Sequence, residues 1–175
     1  MIIAVTRVCK CPRASELRVG TVEGMKMQIE RERRFLCTAI PEGSTRVGCL
    51  HQAYVIASRF VELRVRSGAE HSAAIKIGVG GAARFEFESA LPAILARRIV
   101  RLTPLRVEKT RYVLDVTGAD GTTRRWDIDC YRGRHEGLIT AEVEHAAGDR
   151  LETPDWVGDD VTGVERYTNR SLARR

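Results

Sequence analysis

Glu62-Leu63-Arg64-Val65-Arg66 alternates charged and apolar residues one for one. Successive side chains of an extended strand point to opposite faces, so Glu62, Arg64 and Arg66 share one face and Leu63 and Val65 the other. The same period recurs along the chain. Glu30, Glu32 and Arg34 share a face of one run, and Arg84, Glu86 and Glu88 interleave with Phe85 and Phe87. Lys109 with Arg111, Asp127 with Asp129 around Ile128, and Glu142 with Glu144 around Val143 complete the set. One such strand is an ordinary sheet with a wet side. A solvated face, however, mixes Thr, Ser, Gln and Lys, whereas here acids and arginines repeat in doublets from strand to strand. The set predicts charged faces that converge inside a barrel. There the charges must pair or bind ions and ligands, because an uncompensated buried charge is prohibitive.

Outward from that stretch the chain reads as short β runs at 29–37, 59–66, 74–78, 83–88, 107–115, 124–130 and 138–144, separated by Gly, Asp and Pro. Gly78-Val79-Gly80-Gly81 reads as a hairpin turn, and Asp120-Gly121 as a tight turn. One helix is predicted from 91 to about 101, with Pro92 in its first turn and Leu91, Ile94, Leu95 and Ile99 as its apolar stripe. A second, short helix is predicted near 167–174. The fold class is α+β and mainly β. Residues 1–24 show no periodicity and are expected to be an extension, either disordered or not translated, with Met25 or Met27 then the start. Residues 25–175 are expected to form a single domain.

With 175 residues, 43% hydrophobic and 30% charged, the chain suits one globular domain. Its longest uncharged run, 47–58, is too short to span a bilayer, and the N-terminus has no signal-peptide core. No membrane association and a cytoplasmic location are expected. Five scattered cysteines, with Cys9 and Cys11 lacking a second pair at zinc spacing, read as reduced thiols. The net charge of +6, from 25 arginines and four lysines against 23 acids, favours anionic partners. Aromatics are only 6%, and the arginines alternate with glutamates, so no nucleic acid is expected. Carboxylates bind hard divalent cations, and guanidinium and ammonium groups hold phosphate oxygens. Together on one phosphate chain they are the recurrent arrangement for phosphoryl transfer.

Glu30-Arg31-Glu32-Arg33-Arg34-Phe35-Leu36 resembles the ExExK strand of the CYTH superfamily, the triphosphate tunnel metalloenzymes. The likeness continues in order through Tyr54, Glu62-Leu63-Arg64-Val65-Arg66, Lys76, Arg84-Phe85-Glu86-Phe87-Glu88 and Lys109-Thr110-Arg111-Tyr112. It then runs through Trp126-Asp127-Ile128-Asp129, Glu142-Val143-Glu144 and Arg166-Tyr167-Thr168-Asn169, covering roughly 28–173. It implies an eight-stranded antiparallel closed β-barrel, open as a tunnel, with a few flanking helices. It also implies Mg²⁺ or Mn²⁺ as cofactor and a small-molecule triphosphate as substrate, in a monomer or homodimer.

Carried over by position, Glu30, Glu32, Asp129, Glu142 and Glu144 correspond to metal ligands, and Arg64, Arg66, Lys76, Arg84, Lys109 and Arg111 to a phosphate cradle. Glu86 and Glu88 correspond to acids near a second metal or the attacking water. The bland alternative for each is an internal salt bridge. Arg34 departs from the motif, whose residue there is lysine; in some members that lysine pairs with the tyrosine matching Tyr54 in a catalytic dyad. Arginine keeps the charge but does not readily release a proton, so electrostatic support is its remaining role. The activity implied is hydrolysis of inorganic tripolyphosphate. Thiamine triphosphatase, class IV adenylate cyclase and a non-catalytic polyphosphate- or RNA-binding barrel are the alternatives.

Overall fold

The structure, a computed structural model, describes residues 21–22, 25–58, 60–78, 84–146 and 151–175, and of 21–22, 25–30 and 84 the backbone alone. The strands are β1 (Thr21–Val22), β2 (Met25–Glu30), β3 (Glu32–Cys37), β4 (Thr45–Ala57), β5 (Val61–Gly68), β6 (Ser72–Gly78), β7 (Arg84–Ala90), β8 (Arg106–Thr117), β9 (Thr123–Tyr131) and β10 (Ile139–Glu144). Two helices, α1 (Ala93–Leu102) and α2 (Asn169–Arg174), accompany them. All strands join one antiparallel sheet in the order β1-β2-β7-β6-β5-β4-β8-β9-β10-β3. β2 and β3 are halves of one run broken at Arg31. Counted once, and with the two-residue β1 set aside, the strands number eight.

The sheet is not closed by a ladder. β2 pairs with β7 at one end and β3 with β10 at the other. The second edge of β3 is taken by residues 158–161: Gly158 and Val161 donate to the carbonyls of Leu36 and Arg34 at 2.8 Å, and Leu36 donates to that of Asp159 at 2.9 Å.

The alternation sorts by chemistry. On one face Phe35, Cys37, Trp126, Ile128, Ala141 and Val143 form a core covered by Leu151, Trp156 and Val157. Trp126 meets Phe35 and Trp156 at ring-centroid distances of 5.6 and 5.2 Å. Further round the same outer side, α1 lays Ala96 and Val100 on Ala53 and Val65. The expected stripe of this helix is therefore corrected: Ile94 is 84% exposed and Leu95 also faces out, while Leu91 and Ile99 pack beside the two small buried residues. Close approach of a helix to a sheet favours Ala and Val at the contact, which a hydrophobicity stripe does not weigh.

β4, the longest strand at 13 residues, had no counterpart among the expected runs. It carries none of the charge doublets and includes Gly48, at a register shift opposite β8. The Asp120-Gly121 turn is present, with Gly121 at φ 74° and Asp120 accepting from the Thr122 amide at 2.9 Å. Gly78 pairs with Arg84 as a hairpin requires, although the expected turn itself lies outside the described residues. Thr21–Val22 pairs with β2, so the expected extension includes a strand; its remainder also lies outside them. Cys37, Cys49 and Cys130 are free thiols. Among the described residues no helix is long and apolar enough to cross a membrane.

Candidate active site

The charged face of the sheet lines a cavity of about 810 Å³. β3 and β10 supply Glu32, Arg34, Glu142 and Glu144; β5 and β6 supply Glu62, Arg64, Arg66 and Lys76; β7 supplies Glu86 and Glu88. Strand register explains the grouping. Glu144 stands opposite Glu32, Glu142 opposite Arg34, and Lys76 opposite both Glu62 and Glu86. Of Glu30 and Arg84 the side chains lie outside the described residues.

Arg34 is buried and bridges two acids, donating through Nε to Glu142 at 2.7 Å and through Nη2 to Glu32 at 2.8 Å. Its Nη1 donates to the Tyr167 carbonyl at 3.2 Å. Burial alone would lower its pKa, but Glu142 and Glu32 outweigh it and hold the group above its ordinary value. No bond joins Arg34 to Tyr54, so the pairing of these two positions is not made here. The Tyr54 hydroxyl accepts from Gln52 Nε2, and burial, then Glu62, raises its pKa. It stays a neutral phenol. Burial would raise the pKa of Glu142, yet Arg34 and then Lys109 pull it down to about 2.

On the other side, Arg64 Nη2 donates to Glu86 Oε1 at 2.7 Å and Lys76 Nζ lies 3.2 Å from Glu86 Oε2. Against the opposing effect of burial, Lys76 and Arg64 lower the Glu86 pKa. Both of its oxygens are thus engaged by cations, the internal salt bridge rather than a water-facing acid. Glu88 accepts from Ser72 at 2.7 Å and lies on the cavity wall. Arg66 makes one side-chain bond, Nε to Gln52 Oε1 at 3.2 Å, and its terminal nitrogens have no partner among the described residues.

Two expected wall residues lie beneath the wall instead. Asp129 is fully buried; its oxygens accept from Arg111 Nε at 2.8 Å and Nη2 at 2.7 Å, and from the Lys109 ammonium. Expected as a metal ligand, Asp129 here has both oxygens engaged by Arg111 and Lys109. Lys109 is equally buried and divides its ammonium between Asp129 and Asn169 Oδ1, the latter at 3.2 Å. Burial lowers its pKa to about 8 despite Asp129. Asp127, on the wall, accepts from Arg111 and Arg125.

Sequence reasoning missed Gln52, which holds both Arg66 and Tyr54, and gave no role to Asn169. Neither bears a charge, so neither entered the doublet pattern. Asn169 stood within the Arg166-Tyr167-Thr168-Asn169 stretch, which was the available signal.

Among the described residues no three His, Cys, Asp or Glu side chains cluster tightly enough to hold a metal ion. The donors that do face the cavity, Glu32, Glu142 and Glu144, are carboxylates on paired strands, the oxygen chemistry a hard divalent cation takes. Their chemistry suits such a group, although their spacing does not form a ready-made site, and Arg34 is the resident cation between two of them.

No family model matches the chain. It is 32% identical over 150 residues to an inorganic triphosphatase of Nitrosomonas europaea, covering 82% of this chain and 96% of that protein. It is 29% identical over 150 residues to an inorganic triphosphatase of Acetivibrio thermocellus, covering 83% and 93%. Its structure is similar to the crystal structure of the inorganic triphosphatase NE1496, with a TM-score of 0.61 and 29% identity, over 83% of this chain and 95% of that one.

Proposed function

This chain belongs to the CYTH-type inorganic triphosphatases, and on that premise we propose that residues 25–175 hydrolyse the terminal phosphate of inorganic tripolyphosphate inside the charged cavity. The observation that carries this reading is the convergence of an acid-rich wall, β3 with β10, and a base-rich wall, β5 with β6, on one cavity. In this reading β2 and β3, consecutive in sequence and at the two ends of the ladder, bring the sheet round to complete the tunnel.

Arg64, Arg66 and Lys76 grip the phosphate oxygens as charge-assisted donors, and Arg66 does so with the two nitrogens that have no partner among the described residues. Glu86 positions Arg64 and Lys76 rather than the water. Glu32, Glu142 and Glu144, joined by Glu30 from the same run, hold Mg²⁺ or Mn²⁺. Bound there, the ion polarises phosphate oxygens and offsets charge that develops on them. Glu88 orients the water and takes its proton as the water oxygen bonds to the terminal phosphorus. The bond from that phosphorus to the bridging oxygen breaks, and pyrophosphate leaves with its new charge facing the guanidinium groups. Arg34 holds Glu32 and Glu142 in place and moves no proton.

The test is phosphate release from tripolyphosphate, ATP, thiamine triphosphate and pyrophosphate, each with Mg²⁺, Mn²⁺ or EDTA. Fast release from tripolyphosphate that EDTA abolishes is expected. Cyclic AMP formation from ATP, or equal release with EDTA, would overturn the reading.

A further inference from the structure

We propose that Asn169 binds the substrate, presenting its side-chain amide N–H groups to a phosphate oxygen of the triphosphate; the proposal rests on the triphosphatase reading above. Asn169 opens α2, lines the cavity and is only 9% exposed. One of its side-chain atoms receives two donors, the Lys109 ammonium at 3.2 Å and the Tyr131 hydroxyl at 2.7 Å. An ammonium has three donors and no lone pair, so the atom it meets is the carbonyl oxygen. The orientation of the amide is therefore determined. Nδ2 has no hydrogen-bond partner among the described residues, yet it is not among their buried unpartnered atoms, so it reaches open space.

The consequence is chemical. A buried amide held at its oxygen by two donors is a rigid, neutral source of two N–H groups, and polarisation by the ammonium strengthens them. Lys109, placed beneath the wall, acts through Asn169 as a positioning residue. α2 is anchored beside it: Arg170 donates to the Ser58 carbonyl, Arg174 to that of Ala57, and Leu172 packs with Tyr54 and Tyr131. A neutral donor at that end recognises an oxygen without adding to an already crowded set of cations.

Asn169→Asp keeps the size and the accepting oxygen but replaces the amide donors with a carboxylate oxygen. Steady-state hydrolysis of tripolyphosphate with Mn²⁺, and the rise in melting temperature caused by tripolyphosphate, are measured for wild type and variant. The KM of the folded variant is expected to rise at least roughly tenfold, with a smaller change in kcat, as for loss of a hydrogen bond to a charged group. The protective rise in melting temperature should shrink with it. Tyr131→Phe, which leaves Asn169 in place with one of its two holding bonds removed, is expected to raise KM by roughly threefold. A folded Asn169→Asp protein with wild-type KM overturns the proposal. Should that variant not fold, an unchanged KM in Tyr131→Phe overturns it. Wild-type protein that neither hydrolyses tripolyphosphate nor is stabilised by it overturns the triphosphatase reading instead.

Discussion

The two opposed walls of the cavity mirror one another in charge. On β3 and β10, Glu32, Glu142 and Glu144 surround a single cation, Arg34; on β5 and β6, Arg64, Arg66 and Lys76 surround a single wall acid, Glu62. Each wall carries one residue of the minority sign, and on the acidic wall its job is visible: Arg34 ties Glu32 to Glu142. A lone acidic wall would attract cations without placing a phosphate, and a lone basic wall would hold phosphate without a metal. The two sets sit on different strands of one charged face, β3 and β10 against β5 and β6.

Substitutions on the two walls should therefore fail differently. Glu32→Gln is expected to lower kcat/KM for tripolyphosphate by at least roughly a hundredfold through metal binding, and excess Mn²⁺ should recover part of it. Arg66→Gln is expected to raise KM by roughly tenfold with a smaller effect on kcat. Titrating both metal and substrate in each variant checks this. The same pattern of loss in both would erase the distinction between the walls.

A second contrast sets neighbours in one strand against each other. Arg34 faces the cavity and is buried, whereas Arg33 pairs at the surface with Asp160 at 2.6 Å. Arg34→Met leaves Glu142 without its main partner and is expected to cost about 3–5 kcal/mol, lowering the melting temperature by about 10 °C. Arg33→Ala should cost under about 1 kcal/mol, because its pair is solvent-screened. Thermal melts of the two variants decide whether the charged face is structural as well as functional.

Acid should act on the same buried acids. The folded-state pKa of Glu142 lies near 2 against an ordinary 4.5, and those of Glu86 and Asp129 are also depressed. Ionisation of these groups stabilises the fold fully above about pH 4.5, and that stabilisation is lost as the pH falls toward 2. Melting temperatures in EDTA should accordingly be level from pH 7 to about 5 and fall steeply below about 4.5. A steady decline beginning at pH 7 would place the sensitive groups elsewhere.

Much of the site was legible because a strand converts a period of two into a face. Glu32, Arg34, Glu62, Arg64, Arg66, Glu86, Glu88, Glu142 and Glu144 reach one cavity as that period requires. It does not reveal depth along a face. Asp127 and Asp129 share a side of β9, yet one is on the wall and the other fully buried under Arg111 and Lys109. Nor does it register neutral residues: on β4 the alternation marks neither Gln52 nor Tyr54, and Tyr54 enters through the family likeness alone. On α1 the contact is made by Ala96 and Val100, because distance to the sheet rather than hydrophobicity decides which residues touch it.

The amino-acid sequence by itself determined which side chains share a face, that the chain is mainly β, and through its motif order which family it resembles. These follow from alternation, turn residues and residue chemistry, all local in the chain. Only the tertiary structure decided which charges meet. Arg34 bridges residues 32 and 142, and Lys109 reaches Asn169, through contacts between segments far apart in sequence. It also left β2 and β3 at opposite ends of the sheet ladder, because residues 158–161 take the edge of β3 with backbone hydrogen bonds that no side-chain pattern records.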